Sequence, residues 1–316
     1  MKDEEFLKKY LNAFVKLKRA TKNGIKAPHK PLLLLSVIQL MAKGEIVNNE
    51  IKITPQLVAY YKDNWNWLVK ESFFKQNFAL PFYHLKSEGF WHLKVNFGQS
   101  IHLTSSLSIK SFSQLNESIE YAYLDEELFA VLIQVETREI LYQFLLKHYF
   151  GTYCESSLKV RIIDEVADQI LHEPPGIYKQ IIEKSDEEEI FIRCAVFKKV
   201  IPQIYNYTCS FSGMRIISGF DIQMVDACHI VPFAISHNDT ISNGLSLSPT
   251  FHRAFDRGLV SIDNEYKIIS SSSFTETISN ISIKSYEGKC ILLPEQCSYF
   301  PSQENLKWHR ENIFKM

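Results

Sequence analysis

The 316-residue chain predicts an α+β fold, with a mainly helical N-terminal domain and a C-terminal domain built on strands, a loop and a short helix. Three observations lead there. Helical apolar spacing dominates the first 150 residues, around the run PLLLLSVIQLMA. Short β-rich runs bounded by turn residues dominate after Cys209. Between them the composition changes, through Pro174-Pro175-Gly176 and the charge run KSDEEE. The expected domains are therefore 1–153 and 191–316, joined by a helical linker over 154–190.

Residues 3–22 read as an amphipathic helix, with Phe6, Tyr10, Leu11, Phe14, Val15 and Leu17 between lysines. Gly24, Pro28 and Pro31 break the pattern. A strongly apolar helix then starts at Pro31 and stops near Gly44. It is too short to span a bilayer and reads as a core helix. Helix-like and aromatic runs then alternate, LVAYYKDNWNWLV and FFKQNFALPFYHL, followed by a turn at Glu88-Gly89 and a short strand within SEGFWHLKVNF. LNESIEYAYLD and DEELFAVLIQVETREILYQFLLKHYF read as two helices, the second buried because it is apolar all round. VRIIDEVADQILHE is helical.

Past the boundary, IRCAVFKKVIPQIYNYTCSFSG leads into the C-terminal core. MRIIS and DIQMVDACHIV read as strands about a turn at Ser218-Gly219, followed by a loop rich in Ser, Asn, Asp and Gly. TFHRAFDRG is a short helix stopped by Gly258. YKIISS and ISIKSY read as strands, and SQENLKWHREN as a closing helix.

Hydrophobic residues make up 46% of the chain, which is globular composition. No run of eighteen apolar residues occurs, and the charged N-terminus lacks the apolar centre of a signal peptide. The six scattered cysteines suit reduced thiols in a cytoplasm. Charge is unevenly spread: residues 1–100 hold 16 Lys and Arg against 8 Asp and Glu, whereas residues 101–200 hold 10 against 17. A basic N-terminal region is compatible with a nucleic-acid partner and equally with a lysine-rich surface.

The densest chemistry lies between Cys209 and Asp263. Thirteen residues separate His229 from Asn243, and eight separate Asn243 from His252. A hairpin, a loop and a helix would bring the two histidines to one metal site. Phosphodiester hydrolysis needs an activated water and relief of negative charge. Neutral imidazole can take a proton near pH 7, and a divalent ion can neutralise the phosphate. His229 is therefore the expected general base, His252 a metal ligand, and Asn243 a residue that pins the loop to backbone.

These pieces, DACHIVP, SNGLSLSP and FHRAFDRGLVSID, resemble the HNH or ββα-metal endonucleases over about residues 200–270. The resemblance implies cleavage of DNA with Mg²⁺ or Mn²⁺. Many members carry a metal ligand just before the base histidine. This chain has Cys228 there, so Asp226 is the candidate ligand and Cys228 the alternative. Arg253 is a candidate phosphate contact; Asp256 is as readily a helix-end residue as a functional one, and Arg257 reads as solvated. With no CxxC pair, no structural zinc is expected.

The N-terminal segments KRATKNGIKAPHKPLLLLSVI and FALPFYHLKSEGFWHL resemble the sulfur-binding domain of restriction enzymes that recognise phosphorothioate DNA, over about residues 10–150. The resemblance implies an apolar cup for the non-bridging sulfur flanked by basic residues. His29, Lys30, Pro81, Leu80, His84 and Arg19 are the implied DNA-binding residues. Leu80 replaces a frequent Tyr and Lys30 a frequent Arg, which exchanges a flat fork for a point charge. The combined expectation is a cytoplasmic, homodimeric restriction nuclease acting on phosphorothioate-modified double-stranded DNA. The alternatives are an HNH nuclease reading another mark, such as 5-methylcytosine, or a degenerate nuclease that only binds DNA.

Overall fold

The structure, a computed structural model, describes residues 2–70, 73–97, 109, 111–151, 161–172, 185–216, 223–277 and 282–315. The chain divides into two compact units, Met1–Ile163 and Asp164–Met316. The expected turn at Ser218-Gly219 and most of the expected linker lie outside the described residues. Among the described residues no helix is long and apolar enough to cross a membrane.

The first unit is organised around a helix at His29–Ala42 (α2), in which every side chain from His29 to Met41 is buried. Around it pack helices Pro55–Leu68 (α3), Ala79–His84 (α4), Glu126–Ile133 (α6) and Val135–Phe150 (α7). A helix buried on all sides must satisfy its polar groups internally. Ser36 Oγ donates to the Leu32 carbonyl, Asn64 Nδ2 donates to Ser36 Oγ (2.9 Å) and Gln39 Oε1 (2.8 Å), and Gln39 Nε2 donates to Tyr142 Oη (3.2 Å). This ladder ties α2 to α3 and α7. Thr54 caps α3 by accepting from the Leu57 N–H, with Pro55 at the first position, as the sequence pattern favours.

Three expectations in this unit need correction. The first helix (α1, Lys2–Val15) stops before Leu17, and the chain turns into a small hairpin of Thr21–Lys22 (β1) and Ile25–Lys26 (β2). Helix α4 starts where Asn77 Oδ1 accepts from the Leu80 N–H. LNESIEYAYLD splits into a helix, Phe112–Ser118 (α5), and a strand, Ile119–Leu124 (β4), paired antiparallel with Trp91–Val95 (β3). Its β-branched and aromatic residues fit a half-buried strand, and the strand ladder wins over the helical spacing. Finally, the long apolar helix breaks at Gln134, whose ψ is 131°. Thr137 Oγ1 donates to the Val131 carbonyl, and Arg138 Nη1 to those of Leu132 and Ile133 (3.1 Å each), so side chains satisfy the carbonyls that the break frees.

The second unit contains helix Ile162–His172 (α8, whose first turn holds the unit boundary) and helix Glu187–Ile204 (α9), capped by Asp186. Strand Asp226–His229 (β5) pairs antiparallel with Gly244–Leu247 (β6), from Asp226 opposite Leu247 to His229 opposite Gly244. This corrects the expected loop: GLSL is a fully buried strand. Gly244 makes the pairing possible, because a Cβ there would sit 2.3 Å from Ile201 Cδ1 of α9. After a short helix at Phe233–Ser236 (α10), helix Pro249–Asp256 (α11) packs on both strands, giving the ββα unit. Val260–Ile262 (β7) pairs with Ile268–Ser270 (β8). ISIKSY forms a 3₁₀ turn at Lys284–Tyr286 instead of the expected strand.

The last helix, Gln303–Asn312 (α12), clamps α11 through His309. His309 is 1% exposed and stacks on Phe255 at 3.7 Å. Its Nε2–H donates to the Phe255 carbonyl (3.1 Å), so Nδ1 accepts from Ser261 Oγ (2.8 Å). Burial lowers its pKa to about 4.

Two predictions follow from this packing. Gly258 has φ +70°, and a Cβ on it would lie 2.0 Å from the Ile313 carbonyl oxygen. Gly258→Ala should cost at least about 2 kcal/mol, against about 1 kcal/mol for Gly288→Ala, where φ is +76° but the space is open. Urea melts of both variants check the order; equal losses would refute the clash. The second concerns acid. The folded pKa of His309 is depressed, so the unfolded chain takes up the extra proton first as pH falls. Its stabilising contribution, up to about 3 kcal/mol, is complete above about pH 6.5 and is lost between there and about pH 4. In His309→Gln, stability measured by urea midpoints should depend less on pH across that window, and an unchanged slope would remove the assignment.

Candidate nuclease cleft and N-terminal pocket

In the second unit, a cleft of about 440 Å³ is lined by His229, Pro232, Phe233, His252, Asp256 and His309, among others. His229 closes β5, and α11 supplies His252 and Asp256 one turn apart on the same face. The two histidines singled out in the sequence therefore meet at one cleft.

The His229 ring stacks on Phe197 of α9 at 4.0 Å and 8°. Its Nε2 lies 2.6 Å from Oδ1 of Asp239, which is fully buried. Asn243, also fully buried, makes three bonds to backbone. Its Oδ1 accepts from the Val231 N–H, and its Nδ2 donates to the carbonyls of Val231 and Asn238, each at 2.9 Å.

His252 stands between two carboxylates. Nδ1 is 3.5 Å from Asp226 Oδ2, and Nε2 is 3.4 Å from Asp256 Oδ2. A single ion takes one ring nitrogen, so Asp226 could share it with Nδ1 or Asp256 with Nε2, but not both carboxylates through the same imidazole. Cys228 Sγ lies 3.8 Å from Asp256 Oδ1, and one ligand atom each from Cys228, His252 and Asp256 fall within 4.8 Å of one another. Burial, reinforced by Asp256, pushes the Cys228 thiol well above its ordinary pKa and disfavours the thiolate. On either side of the ring the remaining donors are one imidazole nitrogen and one carboxylate, which suit a hard or borderline divalent ion. Arg253 and Arg257 are exposed on and just after α11.

Sequence reasoning missed Asp239 and Phe197. Asp239 sits in HNDT, where Asn and Asp look like ordinary turn residues, and Phe197 lies in a separate helix. Asp256 was legible, since it follows His252 by four residues on a helix.

In the first unit, a pocket of about 550 Å³ gathers all six N-terminal candidates: Arg19, His29, Lys30, Leu80, Pro81 and His84. Phe74, Ala20 and Ala27 add apolar wall. His29 is buried, its ring edge-on to Trp65 (4.9 Å) and Phe74 (5.9 Å), and its Nε2–H donates to the Lys75 carbonyl (2.9 Å). Burial lowers its pKa. His84 is lowered too, by burial and then by Lys30 and Lys86. Lys30 is not a free cation: it is buried and pairs with Glu88, and its Nζ donates to Ser87 Oγ (3.1 Å). Arg19 lies over the Tyr149 ring at 4.5 Å and has no carboxylate partner among the described residues.

Residues 209–263 match the family model described as HNH endonuclease. No curated protein matches the chain. Among solved structures, a modification dependent TagI restriction endonuclease aligns at 19% identity with a TM-score of 0.30, over 38% of this chain and 38% of that one. The sulfur binding domain of ScoMcrA complexed with phosphorothioated DNA aligns at 19% identity with a TM-score of 0.34, over 45% of this chain and 87% of that one. Likenesses this weak carry no functional argument; the family match does. The segment that supplies His229, Asn243, His252 and Asp256 is the one that matches the HNH endonuclease family model.

Proposed function

We propose that the chain is a modification-dependent DNA endonuclease whose HNH unit hydrolyses phosphodiester bonds with Mg²⁺ or Mn²⁺ and whose N-terminal pocket reads phosphorothioate. The observation that carries the nuclease reading is the shared cleft of His229 and His252 inside the family-matched segment. His229 takes the proton from a water. The water oxygen forms the new P–O bond, and the ester oxygen departs with its electron pair. His252 would hold the divalent ion through one ring nitrogen together with the carboxylate on that side, Asp226 at Nδ1 or Asp256 at Nε2, and the ion when bound offsets the charge that gathers on the phosphate. Asn243 keeps the loop after His229 in place, and exposed Arg253 contacts DNA phosphate.

The N-terminal pocket supports the reader. Sulfur is softer and less hydrated than oxygen, so walls of Leu80, Pro81, Phe74 and Ala27 lose less by desolvating it. Lys30 is already neutralised by Glu88, which leaves Arg19 and Lys18 to meet the remaining phosphate charge.

Paired duplexes, one with phosphorothioate in several sequence contexts and one plain, test both halves with Mg²⁺, Mn²⁺ or chelator. Metal-dependent cutting of modified DNA alone is expected, and cutting of both would sink the sulfur reader. His229→Ala should slow cutting by about 10²–10⁴-fold and leave binding intact; full activity would remove the base assignment. Pro81→Gly and His29→Ala should weaken binding to modified DNA roughly tenfold more than to plain DNA, on the order of 1.4 kcal/mol. Equal losses on both DNAs would mean that these residues only support the fold.

A further inference from the structure

We infer that Asp239 is the positioning residue of the nuclease cleft: it holds His229 in the Nε2–H tautomer and leaves Nδ1 as the proton-accepting nitrogen. The inference rests on the reading of His229 as general base. Its ground is geometric. Asp239 is fully buried, and its Oδ1 is 2.6 Å from His229 Nε2. Its Oδ2 has no hydrogen-bond partner among the described residues. A buried carboxylate with a single partner is costly unless that partner is a strong donor. The loop is closed without the Asp239 side chain: Asn243 and Ser236 bond to its backbone, and Asn238 holds Thr240.

The chemistry gives the pair a purpose. A carboxylate accepts from Nε2–H and thereby assigns the lone pair to Nδ1. When water gives its proton to Nδ1, the ring becomes an imidazolium and its bond to Asp239 becomes charge-assisted. The pair is therefore stronger during the reaction than before it, which is the condition for lowering a barrier. Phe197 stacked at 8° removes one face of the ring from solvent and restricts its rotation. Asp239 itself does not touch the substrate and acts through His229.

The test is the tautomer of His229, read from its two ring ¹⁵N shifts and ring-proton couplings in full-length protein at neutral pH, with His229→Ala to assign the signals. Protonation at Nε2 is expected. Protonation at Nδ1 would overturn the inference, and it would do so in the wild-type protein, independently of how any variant folds. In Asp239→Asn, the amide can present its N–H to Nε2 and reverse the tautomer. Cutting should then fall about 10²–10⁴-fold while the melting temperature and DNA affinity stay close to wild type. Undiminished cutting by a folded Asp239→Asn protein would also overturn it. Should His229→Ala cut normally, the base assignment has failed. An inactive His229→Ala alongside an Nδ1–H wild type sinks only the role of Asp239.

Discussion

The nuclease cleft depends on how one buried amide is satisfied. Asn243 sits at the start of β6 with no exposed surface, so its carbonyl and both amide hydrogens need partners inside the protein. It finds them on the backbone of Val231 and Asn238. That closes the segment between the two strands into a fixed loop, and the same loop carries Asp239 beneath His229. The strand register then sets His229 opposite Gly244, the one position where α9 comes too close for a Cβ. Asn243 thus fixes the loop without entering the cleft, and the imidazole inherits its orientation from an interaction on the far side of the strand.

The cleft and the N-terminal pocket solve opposite electrostatic problems. Around His252, a carboxylate from a strand faces Nδ1 and one from its own helix faces Nε2. In the N-terminal pocket, cationic and imidazole groups converge on apolar walls. Burial lowers the pKa of both histidines, and Glu88 takes up the charge of Lys30. Both sit on rigid supports: a ββα unit clamped by α12, and the buried N-terminus of α2.

Gln134 shows where sequence pattern reaches its limit. Nothing in DEELFAVLIQVETREILYQFLLKHYF interrupts the helical spacing, yet the chain breaks there because Thr137 and Arg138 satisfy the freed carbonyls. The same limit applies to GLSL. Its Ser, Asn and Gly neighbours suggest a loop, but pairing with β5 and burial under α9 make it a strand. In both cases a partner distant in sequence outweighs the local preference.

The sequence by itself indicated the two-part α+β architecture, the buried central helix and the spacing of His229, Asn243 and His252, which follow from periodicity, turn residues and spacing and are local. Asp226 and the six residues of the N-terminal pocket come from resemblance to the HNH and sulfur-binding families. Tertiary structure alone decided that Asp239 and Phe197 hold His229, that His252 stands between Asp226 and Asp256, that Cys228 is sealed in the core, and that Lys30 is spent on Glu88. Each of these joins residues from separate elements or turns on burial, and both depend on packing that no local window of sequence contains.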